Sequence, residues 1–513
     1  MKSVYGAVGL IAVGSAAALC LAGAAGSQPV AGAAAPGGAC AALKAPGLFA
    51  DTTVQDAHAV AADAGKGLPG YCELSAVISP VQGSAIGVVY RLPEGWNGKL
   101  LGLGGGGWAG NLRIESAAEG LKRGYATLQT DGGHPTTSVW DTAWAANPES
   151  ITDFAYRAIH LMTVVGKQAA AKYYGRPQDK TYYQGCSTGG RQGLMEAQRF
   201  PDDYDGEITG APVYNLLVQT SAVIRNQTFA LIGSGVTADQ LKLVNDAVLK
   251  ACDGADGLED GVIADPSRCA WDPSQVQCKP GELPGPGCLS LAQVEAVRRA
   301  YTGVKLSDGS VAAWPMARGG EVGWPVFMQI SSSTRDSSNG GGFGGLRGPL
   351  LGDPNFDMST FSAERDVPKV RASDFAKAYE ANDPKLSAFT AHGGKLLMWH
   401  GWSDPGPSPV GTITYYNQVR ASTPAAKTGV RLFMAPGVYH CGGGPGPDRI
   451  DLLTALDQWV TTGVPPATLI ATKTSSKLSR PLCPYPQVAL YKGAGDPDDA
   501  ASFSCVAPKP SRK

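Results

Sequence analysis

Apolar residues along this chain fall into short runs divided by glycine, proline and small polar residues, and strand-like and helix-like periods alternate. Residues 76–79 and 85–92 are rich in β-branched side chains and read as two strands joined by a turn. Residues 99–103 form another apolar run that ends in GGGGWAGN, and 125–130 form one that ends in DGGH. From about 151 to 173 apolar positions recur every three to four residues, which predicts a helix. A strand at 181–184 then runs straight into GCSTG, a helix follows at 191–200, and 206–212 reads as the next strand and turn. Ahead of all these, 40–76 reads as a short leading segment with a helical stretch near 54–64. The alternation predicts a mostly parallel sheet covered by helices on both faces.

Between 216 and 384 the pattern breaks. This stretch holds an Asp/Gly run, four cysteines and the Ser/Gly-rich passage SSSTRDSSNGGGFGGLRG. Strand-like runs resume at 395–400 and 430–435. The expectation is one α/β domain, 34–215 with 385–513, interrupted by an insertion at 216–384.

Composition narrows the class. Of 513 residues 43% are apolar and 17% charged, which supports a full core and excludes a disordered chain. A formal net charge of −1 supplies no attraction for nucleic acid or an anionic membrane. The first residues carry Lys2, an apolar segment at 4–21 and the small-residue sites Ala22-Gly23-Ala24 and Ala31-Gly32-Ala33. That is the layout of a cleaved signal peptide over 1–33. Cys20 does not make it a lipoprotein, because bulky Leu19 stands where such cleavage needs a small residue. A secreted or periplasmic protein follows, with no membrane attachment after signal removal. Eleven cysteines are present, and ten remain once Cys20 leaves with the signal. With no C-x-x-C among them, disulfides are the expectation rather than zinc.

The chemistry concentrates at YYQGCSTGGRQG. Ser187 sits in a G-x-S-x-G setting between a strand and a helix, which presents a nucleophile on a sharp turn. A serine hydroxyl needs a base, and the base an orienting acid. In sheets of this kind the order is Ser, acid, His at strand ends; Asp404 in KLLMWHGWSDP and His440 after RLFMAPGVY fill it. His400 lies within its strand and reads as a supporting residue. Cys186 precedes the serine and Cys441 follows the histidine, so a triad at contact distance brings these two sulfurs within bonding reach. The alternative, a free Cys186, would leave Cys441 unpaired. The N–H of Thr188 is one candidate oxyanion donor. Gly102, Gly104 and Gly107 also fit a dinucleotide-loop spacing with Asp131 downstream, but no helix clearly follows, so no organic cofactor is expected. Asp253, Asp256 and Asp260 alternate with glycines in CDGADGLEDGVIADPSRC, which offers hard oxygens to calcium or else forms a solvated turn held by Cys252–Cys269.

Together GCSTGGRQG, TDGGH, HGWSDP, HCGGGPGPDR and PLCPYPQ resemble the tannase and feruloyl esterase family, over nearly all of the mature chain. The resemblance implies an α/β-hydrolase fold with a large inserted lid domain and a triad of Ser187, Asp404 and His440. It places the second oxyanion donor at Gly105. It implies a structural calcium in the lid, bound by the three aspartates and the carbonyls of Leu258 and Val262. With proximity, it pairs Cys40 with Cys72, Cys278 with Cys288 and Cys483 with Cys505. Of the lid aromatics Trp314, Trp324, Phe327 and Phe343, it favours Phe327 and Phe343 as contacts for an aromatic ring. A small aromatic ester is the implied substrate, feruloyl or galloyl, with terephthalate monoesters or a non-catalytic binding role as alternatives. Where terephthalate-monoester hydrolases carry a lid arginine, this chain has Asn339, with Arg335 and Arg347 nearby. Oligomeric state is not set by the sequence.

Overall fold

Nine of the apolar runs pair into one mixed sheet. In the computed structural model the described residues are 36–136, 138–328, 330 and 343–508. The expected signal at 1–33, Arg335 and Asn339 lie outside them. The strands are β1 (Thr52–Val60), β2 (Tyr71–Ile78), β3 (Ile86–Pro93), β4 (Lys99–Leu103), β5 (Ala126–Thr130), β6 (Lys180–Cys186), β7 (Gly206–Gly210), β8 (Lys395–Gly401) and β9 (Val430–Ala435). Their order is β1-β2-β3-β5-β4-β6-β7-β8-β9. The first four strands in that order pair antiparallel, and every pair from β5 to β9 is parallel. Parallel strands need covered faces, and β5 and β7 are buried along their whole length.

The two faces are packed by different helices: α1 (Ile114–Lys122), α2 (Ala158–Tyr174), α3 (Thr188–Arg199), and, after an insertion, others. Period-2 alternation separates the faces. Leu100 points into one core with Tyr90, Leu128, Met162 and Val165, while Leu101 points into the other with Leu121, Tyr182, Ile208 and Leu397. Each fully buried aliphatic side chain contributes roughly 1.5–3 kcal/mol of transfer free energy. These layers make the sheet the rigid platform on which the strand ends sit.

One expectation is corrected. The stretch at 54–64 is not helical; it forms β1, paired antiparallel with β2 from Thr52↔Ile78 to Val60↔Tyr71. Its alanines favour a helix in isolation, but an open sheet edge supplies a full ladder of backbone partners. The disulfide between Cys40 and Cys72 ties the leading segment to β2.

Between β7 and β8 the chain leaves the sheet and builds α4 (Leu217–Ala230), α5 (Ala238–Cys252) and α6 (Leu291–Thr302) with several short 3-10 turns. Capping boxes at Thr237 and Ser290 start α5 and α6. Disulfides Cys252–Cys269 and Cys278–Cys288 brace the loops beside them. The insertion shares a core with the rest: Val223, Leu346 and Phe361 pack with Trp108, Trp144 and Phe154. The described residues accordingly form one compact unit. After β8 come α7 (Pro409–Ser422), then β9 and α8 (Leu452–Thr462), and Cys483–Cys505 closes the tail. Among the described residues no helix is long and apolar enough to cross a membrane.

Candidate active site

Strand β6 delivers Ser187 to the sheet's carboxyl edge. There the backbone turns at φ +62°, ψ −124° before α3 begins at Thr188. A non-glycine residue in that region is strained, and its neighbours hold it: Ser187 N–H donates to Gly210 O (2.9 Å), while Arg191 and Val213 N–H donate to Ser187 O. The flanking glycines are required by space. A Cβ on Gly185 would lie 2.5 Å from the Gly189 backbone, and one on Gly189 would lie 2.9 Å from Gly105 O. At the start of α3 the first N–H groups have no partner within the helix, and the helix dipole favours negative charge there.

Just beyond the end of β8, Asp404 is buried. Its Oδ2 lies 2.7 Å from His440 Nδ1 and 3.1 Å from His400 Nε2, and its Oδ1 accepts from Gly406 N–H at 2.8 Å. Burial alone would raise this carboxyl. The His440 charge, followed by the bonds from His400 and His440, outweighs burial and lowers it to about 2. His400 is fixed on its other side by Thr412 Oγ1 at 2.8 Å. His440 follows β9 by a short loop, and the next residue, Cys441, is joined to Cys186 with the α-carbons 6.0 Å apart. The disulfide thus links the nucleophile turn to the histidine loop, 255 residues away.

Ser187, Thr188 and His440 line one cavity of about 300 Å³. Its walls are mainly apolar, among them Trp108, Val139, Trp140, Val213 and Phe327. The Phe327 ring meets the His440 imidazole edge-on at 5.1 Å, and Trp140 stands edge-on to Phe327 at 6.4 Å.

Two expected site residues lie elsewhere. Gly105 donates its N–H to Gln192 Oε1 at 2.9 Å, so it is not available to an oxyanion, and it is Gly106 and Gly107 that line the cavity. Gly106 N–H in turn bonds Ala109 O, whereas no partner among the described residues takes the Gly107 N–H. Phe343 is fully buried against Phe361 and does not reach the cavity. Trp314 and Trp324 are likewise outside its lining, and only Phe327 of the four lid aromatics is in it. Sequence reasoning missed Trp108, Trp140, Gln219 and Arg225, which line the cavity. Loops bring Trp108 and Trp140 there, and α4 brings Gln219 and Arg225, from a stretch where the alternation of strand and helix breaks off.

The acidic loop has the donor chemistry of a calcium site. Asp253 accepts from Gly261 and Val262 N–H, Asp256 from Leu258 N–H and Asp260 from Val262 N–H, and Arg480 also holds Asp260. Burial, with the neighbouring Asp260 charge, raises Asp253 and pushes Asp256 up to about 6. A divalent cation would relieve that crowding. The three carboxylates are not gathered as closely as His160, Glu196 and Asp203, whose ligand atoms lie within 4.8 Å of one another. There burial, then Asp203, raises the Glu196 carboxyl well above its usual range.

Comparison with known proteins follows the same lines. The profile of the family described as tannase and feruloyl esterase matches residues 72–506. The chain is 33% identical to a mono(2-hydroxyethyl) terephthalate hydrolase of Piscinibacter sakaiensis, covering 86% of this chain and 85% of that one. It is 34% identical to a probable feruloyl esterase of Arthroderma benhamiae, covering 82% of each. Among solved structures, feruloyl esterase B from Aspergillus oryzae superposes with a TM-score of 0.83 at 27% identity, over 92% of this chain and all of that one. Tannin acyl hydrolase from Aspergillus niger shares the fold with a TM-score of 0.73. The chain belongs to the tannase and feruloyl esterase family and is a carboxylic ester hydrolase with an α/β-hydrolase fold.

Proposed function

We propose that this esterase hydrolyses esters of phenolic or aromatic acids, feruloyl and galloyl esters among them, through an acyl-enzyme on Ser187. His440 takes the hydroxyl proton as Ser187 attacks the ester carbonyl, then returns it to the leaving alcohol; water completes the cycle by the reverse route. Asp404 keeps the His440 Nδ1 side protonated and stabilises the imidazolium. The observation that carries this reading is the 2.7 Å contact between His440 and an Asp404 held ionised, on the cavity that Ser187 also lines. For the tetrahedral oxyanion the donors are the N–H groups of Thr188 and Gly107, the latter replacing Gly105. Phe327 and Trp140 hold the aromatic ring and exclude water.

Five disulfides support a secreted or periplasmic location, where the bonds persist. A structural calcium in the lid, on Asp253, Asp256, Asp260 and the carbonyls of Leu258 and Val262, supplies charge balance and no catalysis. Product release from methyl ferulate and methyl gallate, run beside Ser187→Ala, tests the assignment. Loss of at least ~10³-fold in kcat is expected of the alanine variant, and turnover retained in it would exclude Ser187 as nucleophile.

A further inference from the structure

One charged group on the cavity wall has no part in the chemistry above. Arg225 stands on α4 and is only 4% exposed. Its Nη1 donates to Gly406 O at 3.4 Å, while Nε and Nη2 are buried with no hydrogen-bond partner. Those two nitrogens carry the parallel N–H groups of one guanidinium edge, the edge that grips a carboxylate bidentately. The carboxylate acting on Arg225 is Asp404, but both of its oxygens are engaged, by the two imidazoles and by Gly406 N–H. Burial lowers the guanidinium to about 10 while Asp404 pulls it the other way, so it is cationic at neutral pH. Gln219, Ala222 and Arg225 recur every three residues on α4 and all line the cavity, and Gln219 Oε1 is also buried without a partner.

Buried charged donors left unpaired are costly, and a bound anion removes that cost. We infer that the Nε/Nη2 edge of Arg225 is a carboxylate subsite, so that the enzyme prefers esters carrying a free carboxylate besides the scissile ester. The inference rests on the serine-esterase reading of the same cavity. The rival occupant is a single water in an adjoining void of about 10 Å³ that Arg225 also borders.

Two matched substrate pairs separate these possibilities. Monomethyl terephthalate against methyl 4-methylbenzoate places the carboxylate on the acid; chlorogenic acid against methyl caffeate places it on the alcohol. The readout is the ratio of kcat/KM within each pair, from which losses common to both members cancel. In the wild type the carboxylated member of one pair should lead by about 10- to 100-fold. Arg225→Met should bring that ratio close to one, and Arg225→Lys, which keeps the charge but not the fork, should fall between. A wild type with no preference in either pair, or a ratio unchanged in Arg225→Met, overturns the subsite and leaves the water in place. Failure to cleave any of the four esters while methyl ferulate is cleaved overturns it too. Failure on methyl ferulate as well would remove the esterase reading beneath it.

Discussion

Asp404 carries two imidazoles on one oxygen, and this arrangement decides what its replacement does. Asp404→Asn keeps the shape of the side chain but offers an amide where His440 Nδ1–H needs an acceptor, so kcat should fall by ~10⁴-fold with KM little changed. The same residue has a signature in stability. Its carboxyl is depressed to about 2 in the folded chain, so the stability it contributes is complete above the ordinary carboxylate pKa. That contribution is lost as pH falls from about 4 towards 2, and amounts to about 2.5 kcal/mol at neutral pH. Acid unfolding followed by circular dichroism should therefore be shallower in that window for Asp404→Asn than for the wild type; parallel curves would contradict the assignment. The sequence puts Ser187, Asp404 and His440 at strand ends in a fixed chain order, and in the structure Ser187 and His440 line one cavity while Asp404 lies 2.7 Å from His440. Gly105 and Phe343 were misplaced because which N–H or ring faces a cavity depends on distant neighbours. Gln192, a turn along α3, takes the Gly105 N–H, and Phe361 encloses Phe343.

At the scale of elements, the parallel strands were legible from apolar runs that end in Gly-rich turns, whereas β1 was not. Its alanine-rich sequence satisfies helical spacing as well as strand alternation, and only the free edge of β2 decides between them. The acidic loop presents a similar problem: the residues show donors, but charge balance comes from the surroundings. With Asp256 raised to about 6 chiefly by burial, its ionisation at neutral pH works against folding unless a cation compensates. Saturating calcium should therefore raise Tm, by an amount corresponding to about 3 kcal/mol at a hundredfold excess over Kd, and a chelator should reverse it. Asp256→Asn should abolish the calcium response while leaving ester hydrolysis in calcium-free buffer close to the wild type. A Tm indifferent to both calcium and chelator would exclude the metal.

For the whole molecule, what matters is that Ser187 and His440, far apart in the sequence, line one cavity. Noncovalent packing positions β6 and β9 three strands apart in the order β6-β7-β8-β9, but the loops that leave them are mobile by default. Cys186–Cys441 removes that freedom. Closing a loop of 255 residues corresponds to about 5 kcal/mol on the chain-entropy account, and the same bond limits how far His440 can move from Ser187. The two effects are separable. In a Cys186→Ser/Cys441→Ser double variant Tm should drop, and kcat measured well below that Tm should also fall, by about 10-fold or more, since small displacements of a base are costly to proton transfer. Removing Cys483–Cys505 in the same way cuts a tail brace distant in sequence from the triad, and should lower Tm with kcat retained. Equal kcat in the two double variants and the wild type would mean that packing alone aligns the site and that the active-site disulfide contributes stability only.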